Sequence, residues 1–159
     1  MDEQTRKEKA ALLEERQIYS LRENYKKFMH LRQDVALRGE CPAGMEVHFH
    51  QRPNGGAAYY IVLNGTPIGY CVGYKSNKKM ANGAKERHRF IIASTFILEA
   101  HRRSGFGLAF YKAILGNNDL LVSDWDQGPG AVALWSKLRM ELSEKRVMSA
   151  SNRYYARNK

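Results

Sequence analysis

The sequence has few of the features that mark secreted or membrane proteins. Its 159 residues include only two cysteines, Cys41 and Cys71, which excludes a disulfide framework and makes a reducing cytoplasm the expected location. The longest apolar stretch, residues 89–100, is interrupted by Ser94 and Thr95 and is too short to span a bilayer. The first residues are mostly charged and contain no apolar signal core, so neither export nor membrane association is expected.

Acidic residues are scarce relative to basic ones. The formal net charge is +10, from 26 Lys and Arg against 16 Asp and Glu, and the excess lies in residues 41–99 and 129–159. Such a charge favours a phosphate-bearing ligand or a polyanionic partner. The alternative is that the charge only keeps the protein soluble. Hydrophobic residues make up 43% of the chain, a balance typical of a globular protein, and the length predicts a single domain over residues 1–159.

Glycine and proline are absent from about Thr5 to Leu37, and this segment is rich in strong helix formers. We therefore predict a long N-terminal helix within residues 1–38. Apolar residues recur in it at steps of three, four and seven, namely Ile18, Leu21, Tyr25, Phe28 and Val35. This spacing predicts one apolar helix face, which would pack on the protein's own sheet.

The middle of the chain alternates in the manner of strands. Strands are predicted over Met45–Gln51, Ala58–Leu63, Pro67–Tyr74, Phe90–Leu98 and Leu120–Ser123, and helices over Gly107–Leu115 and Ala131–Leu142. Asn64-Gly65 predicts a tight hairpin turn, and residues 52–56 and 127–130 are further turns. The fold class is thus α/β in the α+β sense, a mixed, mostly antiparallel sheet flanked by helices. Residues 75–87 are predicted to form a basic loop, and residues 147–159 a basic tail.

A glycine loop stands between the fourth predicted strand and the next helix. Its sequence, Arg102-Arg103-Ser104-Gly105-Phe106-Gly107, fits the pattern Arg/Gln-x-x-Gly-x-Gly/Ala. Two glycines let the backbone approach a ligand closely, and the following helix offers free N–H groups and a positive dipole end to a phosphate. The two arginines add fixed positive charge. The same residues would also suit a plain strand-to-helix turn that needs glycine.

At this loop the chain resembles the GNAT superfamily of N-acetyltransferases, over roughly residues 58–138. The resemblance implies acetyl-CoA as co-substrate, with its pyrophosphate held by backbone amides of the residues Arg103, Ser104, Gly105, Phe106 and Gly107, after Arg102. It also implies that the strand before the loop pairs with the pantetheine arm through Phe96, Ile97 and Leu98. Ile97 would polarise the thioester carbonyl. The strand at residues 120–123 would separate from its neighbour to make room.

The second resembling segment, Ala131 to Leu138, carries Trp135 where the family often has a tyrosine that protonates the leaving thiolate. Indole has no usable acidic proton, so Trp135 is predicted to be a core or pocket-wall residue. Either another group, such as Tyr111, protonates the thiolate, or the thiolate leaves without help, or the protein does not catalyse. The candidates for the general base are Glu99 and Asp124, at two strand ends, with Asp126 also open to a capping role.

The chain departs from the family in two places, both in the part of the fold that would bind the acetyl acceptor. A long helix precedes the first strand, and the segment after Leu142 shows no clear strand pair. His48 and His50 share a strand face near Cys41, but no second pair completes a tetrahedral set, so no metal is expected. His101, beside the glycine loop, would either assist binding or be solvated.

The acceptor is expected to be an amine on an anionic macromolecule. The Lys75–Arg89 segment and the Tyr- and Arg-rich C-terminal tail would suit a nucleic acid or an acidic protein, although no known nucleic-acid motif is present. Two alternatives stay open: a GNAT-fold binding protein without turnover, and an enzyme that modifies a nucleobase in the same pocket. The sequence is compatible with an oligomer.

Overall fold

A computed structural model describes residues 2–78, 87–124, 129–142, 146–150 and 153–158. Its helices are α1 (Glu3–Phe28), α2 (Phe106–Gly116) and α3 (Pro129–Leu142). Its strands are β1 (Gln33–Val35), β2 (Met45–Gln51), β3 (Gly56–Leu63), β4 (Thr66–Lys78), β5 (Arg87–Ile97), β6 (Leu120–Val122), β7 (Val147–Ala150) and β8 (Arg153–Arg157). The predicted class, a mixed sheet with flanking helices and a long N-terminal helix, is confirmed. Within the described ranges, no helix combines the length and the apolar character needed to cross a membrane.

The eight described strands form one sheet in the order β1-β2-β3-β4-β5-β6-β8-β7. All neighbours pair antiparallel except β5 and β6, which run parallel. The β3–β4 turn follows the sequence prediction, because Asn64 and Gly65 have φ of 50° and 85°, the positive values that a type I′ turn requires.

Helices cover the two faces of the sheet unequally. The α2 and α3 helices pack on one face around the larger core, which includes Phe90, Phe110 and Trp135. The α1 helix packs on the other face through Leu21 and Tyr25. Since successive residues of a strand point to opposite faces, β3 supplies both cores in alternation.

The predicted N-terminal helix is too long at its C-terminal end. The α-helix ends at Phe28, a single 3₁₀ turn follows, and Gln33–Val35 forms the edge strand β1 against Val47–Phe49 of β2. Val35 therefore packs with the larger core and is not part of the α1 face. No glycine or proline stops the helix, so strand pairing outweighs the modest helix propensity of these residues.

The prediction of a C-terminal tail without a strand pair is wrong. Residues 147–150 and 153–157 form the β7–β8 hairpin, and β8 also pairs with β6. Val147 and Ala156 are buried, so docking against β6 compensates for a weak strand pattern. Two other boundaries change: Pro129 and Gly130 belong to α3, and Lys75–Lys78 and Arg87 belong to strands, so the predicted basic loop is shorter. Residues 79–86 and 127–128 lie outside the described residues.

The long strand β5 carries a bulge at Ala93. Val72 pairs with Ser94 and Gly73 with Ile92, so Ala93 is left without a partner on β4. A Cβ on Gly73 would lie 2.0 Å from the Ile91 carbonyl oxygen, and only glycine permits this approach. The bulge changes which residues of β5 direct their backbone groups toward β6.

Candidate functional site

A gap opens between the two parallel strands in the middle of the sheet. The pairing of β5 with β6 runs only from Arg89 to Ile91, where Ile91 lies opposite Val122. Ser123 instead pairs with β8, because its N–H donates to the Tyr154 carbonyl at 2.9 Å. The last six residues of β5 thus have β4 on one side and no described strand partner on the other. This is the separation expected from the sequence.

The three β5 residues predicted to contact a pantetheine arm differ in backbone direction. The N–H of Leu98 donates to the Ile68 carbonyl at 2.8 Å, on the β4 side. Since N–H groups alternate in direction along a strand, Phe96 also points toward β4 and Ile97 points toward the gap. Only Ile97 of the three therefore has its backbone at the open edge. The prediction that the backbones of Phe96 and Leu98 also pair with the pantetheine arm conflicts with this geometry.

The glycine loop has the backbone shape that the motif predicts. Arg103 and Gly105 have φ of 62° and 84°, in the left-handed region, and Gly105 forms the N-cap of α2. The first backbone bond of α2 runs from the Ala109 N–H to the Gly105 carbonyl. The amides of Phe106, Gly107 and Leu108 precede that bond, so they lack helical acceptors and form a suitable anion site.

The arginine that begins the loop is engaged within the protein. The Nε of Arg102 donates to the Ile97 carbonyl at 2.8 Å, and its Nη2 lies 3.7 Å from a Glu14 carboxylate oxygen of α1. Its guanidinium also lies 5.6 Å from the centroid of the Phe96 ring. Arg102 therefore closes the end of the open β5 edge and joins the loop to α1. The neighbouring Arg103 and Ser104 are exposed.

Gly107 lies in the first turn of α2, one residue after the buried ring of Phe106. A Cβ at Gly107 would meet Ile97 and Leu134 side-chain carbons at 3.5 Å, which is ordinary van der Waals contact. The fold itself therefore tolerates a side chain here.

Two of the three catalytic candidates, Tyr111 and Asp124, border the gap. The hydroxyl of Tyr111, on α2, is 3.0 Å from the Thr95 Oγ1, which in turn donates to the Cys71 Sγ at 3.4 Å. Burial raises the pKa of Tyr111 above its ordinary value, and the charges of Cys71 and, less strongly, Asp124 act in the same direction. Tyr111 is only 2% exposed. It stays protonated at neutral pH and is better suited to donate a hydrogen bond than to release its proton.

The third candidate, Glu99, lies apart from this pair. It belongs to an exposed 3₁₀ turn, Glu99–His101, between the end of β5 and the glycine loop. The ring of His101 packs edge-on against Phe106, with centroids 5.6 Å apart, so His101 helps to seat the loop. Trp125 and Asp126 lie outside the described residues.

Trp135 is a core residue, as predicted, and it identifies a neighbour that sequence reasoning missed. Its ring is 1% exposed, and it stacks on Tyr154 of β8 with centroids 5.5 Å apart and an interplanar angle of 11°. Trp135 also contacts Tyr111 edge-on. The sequence suggested that Tyr154 would stack on bases, but its ring packs partly buried against the core. Only the register of β8 reveals this position.

The opposite face of the sheet holds an unusual set of buried polar groups. Tyr25 hydroxyl and His48 Nδ1 are 3.0 Å apart, and His48 Nε2 lies 3.5 Å from an Asp34 carboxylate oxygen. Burial lowers the pKa of His48 and of His50, and neighbouring arginines add to the effect. Among the described residues, no three His, Cys, Asp or Glu side chains converge as a metal site would require.

Some of the basic side chains expected to hold a polyanion are used within the fold. The Lys75 amine lies 4.8 Å above the Phe49 ring and donates to the Asn117 carbonyl, and burial lowers its pKa. Arg89 is half-buried, and Lys79 and Lys85 lie outside the described residues. This leaves less described basic surface in the segment than its composition suggests.

Comparisons with known proteins bear on the same part of the chain. The model of the acetyltransferase (GNAT) family matches residues 16–117. Eighteen solved chains match. One is a mutant of the BH1408 protein from Bacillus halodurans, 19% identical, with a TM-score of 0.45 over 62% of this chain and 67% of that chain. No curated protein matches the chain.

Proposed function

Because the chain belongs to the acetyltransferase (GNAT) family, we propose that it transfers an acetyl group from acetyl-CoA to an amine on an anionic acceptor. The whole chain acts as one domain in this proposal. The observation that carries it is the gap beside β5, which ends directly at a glycine loop and a helix N-terminus with free amides. An elongated ligand with a pyrophosphate would fit this arrangement in one direction only, with the pyrophosphate at the helix N-terminus.

The donor side uses backbone groups. The amides of Phe106, Gly107 and Leu108 bind the pyrophosphate, and the left-handed Gly105 directs them toward it. The exposed Arg103 adds a positive charge beside them. Along the open edge of β5, the N–H of Ile97 pairs with the pantetheine arm. When bound, acetyl-CoA supplies an activated acyl group.

The chemistry needs a base and a hydrogen-bond donor from the protein. The acceptor nitrogen bonds to the acyl carbon, the carbon–sulfur bond breaks, the electron pair leaves with sulfur, and the amine proton passes to a base. We assign the base to Asp124, since it lies two residues after Val122, where β6 stops pairing with β5 and the gap begins. Once its hydrogen bond with Thr95 breaks, the Tyr111 hydroxyl donates a hydrogen bond to the negative charge that develops on the reacting thioester. Glu99, in the exposed 3₁₀ turn after β5, is the alternative base.

The donor site is tested by a charge placed at the helix N-terminus. Gly107→Glu tolerates the added Cβ, and a carboxylate in the first turn of a helix is favourable for the helix itself. It repels a pyrophosphate, so we expect the affinity for acetyl-CoA, measured by titration calorimetry, to fall at least about tenfold. Gly130→Glu is the matched control, because Gly130 is the second residue of α3 with open space around it.

Equal acetyl-CoA affinity for Gly107→Glu and the parent would reject the glycine loop as the phosphate site. A folded parent that does not bind acetyl-CoA at all would reject the enzymatic proposal. The chain would then be a GNAT-fold binding protein. Nucleic-acid retention that depends on salt would identify its partner as a polyanion.

A further inference from the structure

The α1 face of the sheet contains a polar cavity. It is separate from the gap between β5 and β6, here called the donor gap, in which acetyl-CoA is proposed to bind. Its volume is about 170 Å³, room for roughly five or six waters or for a small organic molecule. Ser20 and Asn24 of α1 form one wall, and Arg52, Tyr60, Tyr70 and Ser94 line the sheet side. Among the described residues, no carboxylate lines this cavity.

The cavity contains buried polar groups without partners. The Tyr60 hydroxyl is buried, and the residue is 3% exposed, yet no described group hydrogen-bonds to that oxygen. The Nε of Arg52 is likewise buried without a described acceptor. Burial raises the pKa of Tyr60, and the Arg52 guanidinium opposes this, although no hydrogen bond of acceptable geometry joins the two groups. Unsatisfied buried donors are costly and point to a missing ligand or water.

The charge of the cavity selects an anion. Within the part of the chain that the structure describes, no carboxylate lies within ion-pair distance of Arg52. Its guanidinium rests over the Phe28 ring, 5.7 Å from the centroid, which holds the side chain at the cavity end near β2. One guanidinium supplies one positive charge, and its planar fork matches a carboxylate. A monoanion therefore fits better than a doubly charged phosphate.

The other end of the cavity lies at the donor strand. Ser94 pairs with Val72 beside the bulge at Ala93, on the part of β5 that has no described β6 partner. Tyr60 pairs with Tyr70, and Tyr70 with Phe96, so β3, β4 and β5 follow in order across the cavity floor. Two strand spacings separate β3 from β5, about 10 Å. A ligand held by Arg52 would therefore need a chain of several atoms to reach the acyl position.

We propose that this α1-face cavity binds the acetyl acceptor as an extended amino acid, with its carboxylate on Arg52 and Tyr60 and its primary amine near Ser94. The inference rests on the proposed function for its chemistry, because the amine nitrogen must bond to the acyl carbon as the thiolate leaves. Its binding part is independent of that function. Tyr70 and Asn24 give the intervening chain a polar lining.

The test uses 6-aminohexanoate as the probe, with 4-aminobutanoate as a shorter analogue and hexylamine as the analogue without a carboxylate. Titration calorimetry of the full chain measures binding, and thiol release from acetyl-CoA measures transfer. We expect 6-aminohexanoate to bind at least about tenfold more tightly than hexylamine, and Arg52→Gln to remove that difference. We expect 4-aminobutanoate to bind but to be acetylated poorly, because it is too short to reach β5.

Two variants control for charge and for folding. Arg38→Gln removes the same charge from a second cavity, of about 220 Å³, lined also by Lys112 and Arg146, and should bind 6-aminohexanoate like the parent. Tyr60→Phe removes a hydroxyl without a described partner, so it should keep the parent's melting temperature while weakening binding.

The outcomes separate the two proposals. Equal binding of 6-aminohexanoate by the parent and Arg52→Gln, equal binding of hexylamine, or no binding by the parent would overturn the cavity assignment. Binding that depends on Arg52 without thiol release, in a protein that binds acetyl-CoA, would overturn the acceptor role. Binding that depends on Arg52 in a protein that does not bind acetyl-CoA would reject the proposed function and leave the cavity as a carboxylate site.

Discussion

Tyr59 and Tyr60 are neighbours in β3 and point to opposite faces of the sheet, and their hydroxyls meet opposite conditions. The Tyr59 hydroxyl accepts hydrogen bonds from the Asn117 and Asn118 side-chain amides at 2.8 and 3.0 Å. The Tyr60 hydroxyl has no described partner. The face under α2 and α3 is thus apolar, and its buried polar groups are mostly paired. The face under α1 has a smaller apolar core, and some of its buried polar atoms, the Tyr60 hydroxyl and the His50 Nδ1, have no described partner.

The same contrast appears in the size of the two cores. The α2 and α3 face holds 22 of the described buried residues, against six on the α1 face. The larger apolar core is expected to contribute more to stability, and the smaller one adjoins the cavity under α1. The donor gap lies between strands at the centre of this arrangement. A proposed donor and a proposed acceptor could therefore meet at β5 from different sides.

The largest expected effect comes from truncating a buried side chain on the apolar face under α2 and α3. Phe110 is fully buried, so Phe110→Ala should lower the free energy of unfolding by about 3–5 kcal/mol. Phe28, on α1, is only half-buried against His50, so Phe28→Ala should cost clearly less. Urea denaturation of both variants measures the difference. Equal losses would show that the two faces contribute equally and would contradict the comparison.

The tyrosine pair gives a more direct comparison of the two faces. Tyr59→Phe removes the acceptor of two amide donors, of which the Asn118 amide is buried, and should destabilise the protein by about 1–2 kcal/mol. Tyr60→Phe should leave the free energy of unfolding nearly unchanged. Thermal and chemical denaturation report both values. A destabilised Tyr60→Phe would indicate a hydrogen bond that the structure does not contain.

The α1 face should also be the acid-sensitive one. His48 and His50 have lowered pKa values, mainly through burial, so the unfolded chain binds protons more readily than the folded chain. The free energy of unfolding should therefore be highest above pH 6.5, which is about the pKa of histidine in the unfolded chain. It should decline as the pH falls below that value, by no more than about 1.4 kcal/mol per pH unit for each histidine. Replacing His50 with Gln should reduce the slope. The same replacement at exposed His88 is the control.

The smallest effect is a difference in thiol reactivity. Burial raises the pKa of Cys71 to about 12, on the apolar face, whereas Cys41 is exposed. A thiol reagent added to the folded protein should modify Cys41 rapidly and Cys71 only after denaturant is added. Rapid modification of both would mean that the face under α2 opens readily in solution.

Several parts of this molecule could be predicted because their causes are local. The Asn64-Gly65 turn needs positive φ at both positions, and the α1 stripe through Leu21 and Tyr25 follows from helical periodicity. The glycine loop between β5 and α2 was predicted for the same reason, since Gly105 adopts a backbone shape that few other residues can adopt.

Other parts follow from contacts between distant segments. Strands β1 and β8 have weak patterns of their own and exist because β2 and β6 offer unpaired edges. The bulge at Ala93 decides that Ile97, and not Leu98, turns its amide to the gap. A one-residue shift in register reverses such directions, and the sequence of a single strand does not encode its register.

The sequence by itself thus determined the family resemblance, the long N-terminal helix and the left-handed glycine loop before α2, because each depends on residues close together in the chain. The tertiary structure alone decided which side chains share a site. It joined Tyr111 to Thr95, buried Tyr154 against Trp135, and brought Arg52, Tyr60 and Ser94 around one cavity. These groups come from separate elements, and only the packing of helices on a sheet of fixed register brings them together.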